Sequence, residues 1–181
     1  RKYASMLILI GPSASGKTEA VKILIRKYNM KKLVTYTSRK PRIHEIDGVD
    51  YHFLTKEDFE KRITEGFFIE HVEYNGNYYG TSYQDLSSDK VVILEPQGVL
   101  TYLEKARDIV KVCYLRTPVA ARYDRMLFRG DNMDAIKQRI ASDDTIFNEE
   151  IEQYADWIID SINISLDDMT EKIYRLYEPY R

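Results

Sequence analysis

"MLILIGPSASGKT", Met6 to Thr18, is the stretch on which the fold of this chain turns. Its first five residues form an unbroken apolar run, as expected of a parallel strand buried on both faces rather than a half-solvated, alternating one. Gly11-Pro12-Ser13-Ala14-Ser15-Gly16-Lys17-Thr18 then matches G-x-x-x-x-G-K-[ST]. A helix is predicted from about Gly16 to Tyr28, because Val21, Leu24, Ile25 and Tyr28 recur at i, i+3, i+4 and i+7. A Gly-rich turn between a buried strand and a helix aims backbone N–H groups at phosphate oxygens, and the helix dipole reinforces them. Gly11, Ser13, Ala14, Ser15 and Gly16 are therefore the candidate cradle for a nucleoside triphosphate. Lys17 is the candidate bridge to its β- and γ-phosphates, and the Thr18 hydroxyl the candidate Mg²⁺ ligand. A turn that binds nothing would not need all three features together.

Outward from this stretch, the chain alternates. Leu33 to Thr37 reads as a second strand. The section from about Asp47 to Thr81 changes character: Val49 to Leu54 is a short aromatic strand, Lys56 to Glu65 a charged helix, and Phe67 to Tyr74 runs into Asn75-Gly76, a strong hairpin signal. The parallel pattern then returns, with strands at Val91 to Leu94, Ile109 to Leu115 and Trp157 to Ile159. Helices are predicted at Val99 to Arg107, Pro118 to Phe128, Met133 to Gln153 and Asp167 to Tyr177. The expectation is an α/β protein with a parallel sheet flanked by helices and interrupted by a small antiparallel insertion. Ligands of such sheets sit at the C-terminal ends of the strands. There is no internal repeat and no low-complexity linker.

Composition narrows the function classes. With 181 residues, 44% hydrophobic and 31% charged, the chain reads as one domain able to bury a real core. A net charge of -2 implies no pervasive basic surface and argues against nucleic acid as a partner. The lone Cys113 excludes an internal disulfide and a multi-Cys metal site. No signal-like segment precedes the first strand, and no apolar run approaches the ~20 residues a membrane helix needs. The expectation is a cytoplasmic protein without membrane contact; oligomeric state is open. Cys113, in an apolar strand, reads as core, and His44, His52 and His71 lack metal-ligand spacing.

A second set of residues follows the phosphate loop. Arg39-Lys40-Pro41-Arg42-Ile43-His44-Glu45, with Asp47-Gly48-Val49-Asp50-Tyr51-His52-Phe53 behind it, resembles the guanylate kinase pattern R-x-P-R-x-G-E…x-G-x-D-Y-x-F. Phe68-Ile69-Glu70 and Asn77-Tyr78-Tyr79-Gly80-Thr81 are similar to that family's F-I-E and N-x-Y-G-[ST] segments. The resemblance runs from about Met6 to at least Arg139. It implies a core with the ATP loop at about 1–36, 82–120 and 140–181, a GMP-binding insertion at about 37–81 and a helical lid at about 121–139. It implies the reaction ATP + GMP ⇌ ADP + GDP, by direct transfer with Mg²⁺. It further implies that Arg39, Arg42, Tyr51 and Tyr79 hold the GMP phosphate, with Thr35 near by. Glu70 and Thr81 would read guanine, Glu45 would organise the acceptor site, and Arg125, Arg129 and Arg139 would gather on the phosphates as the lid closes. With Lys17 and Arg39, those three form the candidate catalytic set.

The chemistry of each residue suits its implied role. Arginine offers a planar fork of donors matched to phosphate oxygens, and tyrosine hydroxyls complete the shell without adding charge. A buried Glu70 can accept from guanine N1–H and N2 together, whereas adenine would oppose it with a bare acceptor. Alone, "RKPR" is a solvated basic loop, the aromatic hairpin is cross-strand packing, and Arg122 to Arg139 are a charged helix surface with Arg139 paired to Asp143. For Lys40 and Arg122 that plain reading is adopted. Three departures from the family pattern stand out: Ala14 at a customary glycine, His44 at another, and Val91-Val92-Ile93-Leu94-Glu95-Pro96, where one acid stands in place of two. Glu95 is the remaining candidate for the acceptor ribose and the Mg²⁺ shell. The alternatives are a kinase for another nucleoside monophosphate and an inactive module that binds phosphorylated peptides.

Overall fold

The computed structural model describes residues 5–181. β1 (Met6–Ile10) is fully buried, and its side chains divide by parity as a two-sided strand requires. Met6, Ile8 and Ile10 face one apolar layer with α3 (Pro96–Ala106), while Leu7 and Leu9 face another with α1 (Lys17–Tyr28) and α7 (Leu166–Tyr177). β1 lies at the centre of a five-stranded sheet. The order is β2 (Lys31–Lys32), β7 (Lys90–Ile93), β1, β8 (Val110–Arg116) and β9 (Trp157–Asp160), every neighbouring pair parallel. Because Leu9 registers with both Ile93 and Cys113, the residues after β1, β7 and β8 emerge together at one end. That end carries the Gly11–Thr18 loop and Glu95.

The insertion builds a second sheet, in the order β4 (His52–Phe53), β3 (Tyr36–Thr37), β6 (Asn77–Ser82) and β5 (Phe68–Tyr74). β5 and β6 form the hairpin signalled by Asn75-Gly76, whose φ values of 49° and 77° are the two positive angles of a type I′ turn. α2 (Lys56–Thr64), capped by Thr55, covers this sheet by stacking Phe59 on Phe68 at 4.4 Å and on Tyr78 at 5.1 Å. α3 ties the second sheet to the first, since Ile69 of β5 is buried in the same cluster as Tyr102 and Leu103.

Three predicted elements come out differently. Leu33 to Thr37 is not one strand: Leu33 donates its N–H to Val91 at 2.9 Å beside the first sheet, whereas Tyr36 and Thr37 pair within the second. A window of apolar residues does not reveal that the chain changes sheets inside it. Val49 to Leu54 contributes only His52 and Phe53 to a ladder, because Asp50 and Asp47 accept from Ile46 and Phe53 N–H and fold the preceding residues into turns. Met133 to Gln153 is two helices, α5 (Met133–Ile146) and α6 (Glu149–Glu152). Phe147 leaves helical geometry at φ -103°, ψ 95°, and Asn148 caps α6 by accepting from Ile151 N at 3.1 Å. The continuous helical stripe across that break concealed it. Between β8 and α5 lies α4 (Val119–Phe128). Among the described residues, no helix is long and apolar enough to cross a membrane.

Candidate functional site

The phosphate loop is held open by its own backbone. Gly16 caps α1 in a left-handed conformation (φ 97°) with no side chain closing the helix, so the first N–H groups of α1 are left for an external anion. Gly11 is tight for another reason: a Cβ there would stand 2.6 Å from the Leu115 carbonyl oxygen. Ser15 Oγ is buried in the loop without a hydrogen-bond partner. Lys17 Nζ turns back to donate to the Gly11 carbonyl and, at 3.0 Å, to that of Pro12. Burial pulls its pKa down to about 8, against the opposing pull of Asp143 and then Glu95. Thr18 and Glu95 are both exposed.

Two of the arginines expected in a lid, Arg125 and Arg129, stand beside this loop. Arg125 donates to the Ala14 carbonyl at 2.9 Å, to Ser161 Oγ at 3.2 Å and to the Ser161 carbonyl. Arg125 and Arg129 line a cavity of about 390 Å³ together with Ala14, Ser15, Gly16 and Glu19. Arg129 also pairs with Asp131 at 2.7 Å. Arg139 is exposed on α5 and is not among the residues lining that cavity, though its charge acts on Asp131, the partner of Arg129.

The plain surface reading of Arg122 is overturned. Arg122 is 3% exposed and pairs with Asp143 at 3.2 Å, so Asp143 serves Arg122 and not Arg139. The same Asp143 oxygen accepts the Ser13 N–H of the phosphate loop at 2.9 Å. Sequence reasoning missed this pair because its members belong to different helices, and no local spacing links them. Their one visible trace was a charge on the apolar side of each helix.

The clamp of the second sheet is a bidentate ion pair. Arg39 presents Nη1 and Nη2 to the two oxygens of Glu45 at 3.0 and 2.9 Å, and Arg42 N–H donates to Glu45 at 2.7 Å. These donors, Arg39 first, hold the Glu45 carboxyl down at about 2. Tyr51 lies under the Arg39 guanidinium at 5.1 Å, with the Tyr79 ring 6.1 Å from that of Tyr51. Arg42 itself is exposed, and Thr35, half-buried, accepts from His52 N–H through its carbonyl. His44 carries φ 72°, the left-handed conformation for which glycine is the usual choice, and Ala14 does the same at 62°.

Glu70 and Thr81 face one another across the β5–β6 ladder, next to a register shift that turns Glu70 inward. Thr81 Oγ1 donates to Glu70 at 2.9 Å. Burial raises the Glu70 pKa, partly offset by Thr81 and by Lys105. The structure thus brings the predicted residues together in groups: Gly11 to Thr18 with Arg125 and Arg129, Arg39 with Glu45, Tyr51 and Tyr79, and Glu70 with Thr81. Arg42 and Arg139 are left facing solvent.

The guanylate kinase family model matches residues 3–180. A guanylate kinase of Clostridium perfringens is 36% identical over 176 residues, covering 93% of this chain and 80% of the relative. One from Lactococcus lactis is 33% identical, over 98% and 89%. One from onion yellows phytoplasma is 38% identical, over 87% and 84%. The crystal structure of guanylate kinase from Anaplasma phagocytophilum superposes with a TM-score of 0.67 at 23% identity, over 99% of this chain, a likeness of fold. A family model spanning nearly the whole chain, and relatives above 30% identity over most of it, place this chain in the guanylate kinase family.

Proposed function

We propose that this chain transfers the γ-phosphate of ATP to GMP, giving ADP and GDP by direct in-line attack. The observation that carries the reading is the pairing of an uncapped phosphate loop on one sheet with an Arg39–Glu45 clamp and a buried Glu70–Thr81 pair on the other. The acceptor phosphate is the nucleophile, so the residues act by positioning and by neutralising charge. The loop N–H groups and Lys17 hold the donor phosphates. Arg39, with Tyr51, Tyr79 and Arg42, holds the acceptor phosphate, and Glu45 keeps the Arg39 fork oriented. Arg125, Arg129 and Arg139 add positive charge where it develops on the migrating group. Glu70 and Thr81 read guanine, with Thr35 near by and Glu95 towards the acceptor ribose.

The residues present suit a magnesium ion that comes with the nucleotide. Thr18 offers a free hydroxyl and Glu95 a hard carboxylate, while the described residues contain no group of three or more acidic or His/Cys side chains forming a protein cage. Bound there, Mg²⁺ would neutralise charge on the β- and γ-phosphate oxygens. Residues 37–81 form the monophosphate-binding insertion and 121–139 the lid in this reading, supported by the separate sheet and by the arginines of α4. The cytoplasm suits a chain with the single, buried Cys113. No observation favours a phosphopeptide-binding module, for which Lys17 and Thr18 would have no use.

The test is ADP release with Mg·ATP across a panel of nucleoside monophosphates. GMP should be turned over at least tenfold faster than AMP, UMP or dTMP; equal rates would refute the assignment of Glu70.

A further inference from the structure

The Thr81 hydroxyl has one proton and stands between two oxygens. Its Oγ1 is 2.9 Å from Glu70 Oε1 and 2.6 Å from the Tyr102 hydroxyl. Both contacts need a proton between the oxygens. When Thr81 donates to the carboxylate, Tyr102 must donate to Thr81. Tyr102 sits on α3, outside the insertion, and is fully buried. Burial keeps its phenol protonated far above the working range. The chain of bonds could run the other way only with Glu70 protonated, and the Tyr102 proton would then be buried without an acceptor, which is costly.

From this geometry we propose that Tyr102 is a positioning residue for base recognition: it donates to Thr81, commits the Thr81 proton to Glu70, and so holds Glu70 as a fixed carboxylate acceptor. The inference rests on the reading of Glu70 as the group that recognises guanine N1–H and N2. It also explains why the reader lies where β5 packs on α3. The groups facing Glu70 are Thr81 from β6, and Tyr102 and Lys105 from α3; Lys105 donates to the neighbouring Ile69 carbonyl at 2.9 Å. Asp85 and Tyr83 lie beyond Tyr102. Burial favours the neutral form of Glu70, opposed first by the Thr81 hydrogen bond and then by Lys105; with Tyr102 gone, the Thr81 oxygen is open to accept from a protonated Glu70 instead. Without the Tyr102 donor, the carboxyl should protonate at higher pH and meet guanine as a donor facing donors.

The experiment compares wild type, Tyr102→Phe, Thr81→Val, Thr81→Ser, the Tyr102→Phe/Thr81→Val double variant and Glu70→Gln. Steady-state kinetics with GMP and with AMP are measured across pH, with thermal midpoints alongside. Tyr102→Phe keeps the buried ring. It should raise KM for GMP about tenfold, leave kcat and KM for ATP within about twofold, and move the acid limb of kcat/KM for GMP to higher pH. Thr81→Ser, which keeps the hydroxyl, should recover most of the KM lost in Thr81→Val, and Tyr102→Phe should add nothing to KM in the Thr81→Val background. An unmoved acid limb and KM, or an effect that adds in full to Thr81→Val as a packing fault would, overturns the proposal. If Glu70→Gln retains the preference for GMP over AMP, the reading of Glu70 fails and this inference falls with it. If that preference is lost while Tyr102→Phe is silent, only the role of Tyr102 falls.

Discussion

Lys17 shows how burial turns one residue into a sensor of its surroundings. Its ordinary pKa of 10.5 falls to about 8 because the ammonium is withdrawn from water with only carbonyls and distant carboxylates for company. Between those two pH values the unfolded chain holds more protons than the folded one, so folding stability should rise with pH across that window and be flat below it. Urea unfolding of Lys17→Met should lack this rise, and a slope equal to wild type would place the titration elsewhere. Glu45 has the opposite sign and a remote window: its stabilising pair is complete above its ordinary 4.5 and is lost only as pH falls towards about 2. Acceptor binding near neutrality should therefore owe no pH dependence to it. The motif Gly11 to Thr18 was legible residue by residue, since its spacing alone states its chemistry. The ionisation of Lys17 was not, because burial is a property of everything packed around it.

At the scale of elements, two glycines in similar-looking positions should behave in opposite ways. Gly11 joins β1 to the loop, and an added Cβ would meet the rigid Leu115 backbone oxygen at 2.6 Å. Gly11→Ala should cost roughly 1–3 kcal/mol and weaken nucleotide binding, because β8 cannot move away without disturbing β1. Gly98 lies within α3, where the nearest atom to a new Cβ is Leu94 at 3.6 Å, an ordinary contact. Gly98→Ala should stabilise by about 0.5–1 kcal/mol through a smaller loss of backbone freedom. Thermal or denaturant unfolding of the two variants checks the signs. The elements themselves were largely readable. α1, the β5–β6 hairpin and β8 follow from periodicity and from Asn75-Gly76. The breaks were not: Asn148 looks like any polar residue until its side chain is seen to accept from Ile151 N–H, and the change of sheet after Leu33 depends on partners as distant in the chain as Val91 for Leu33 and Gly80 for Tyr36.

Across the whole molecule, the arginines of α4 and α5 divide between buried and exposed positions in a way their spacing does not reveal. Arg122 and Asp143 have side-chain exposures of 4% and 12%, and Asp143 also holds the Ser13 N–H from 130 residues away in the chain. Arg122→Ala leaves a buried carboxylate without its cation and should destabilise the fold by roughly 3–5 kcal/mol. Arg139, exposed, should have little effect on the melting temperature when changed to alanine, yet lower kcat by about 10²–10³ if it reaches the migrating phosphoryl group on closure. Calorimetry and single-turnover kinetics on both variants separate the two roles; a stability loss in Arg139→Ala with normal kcat would exchange them.

The sequence by itself determined the buried strand, the phosphate loop, the helix behind it and the membership of Arg39, Glu45, Glu70 and Thr81 in one recognisable pattern. All of these are carried by residues close together in the chain, where periodicity and turn chemistry act. Only the tertiary structure decided that Arg122 is buried on Asp143, that Arg125 rests on Ala14 and Ser161, and that Tyr102 reaches Thr81. Those contacts join separate helices and sheets, and they exist because packing around two apolar layers leaves each buried polar group to find its partner across the fold.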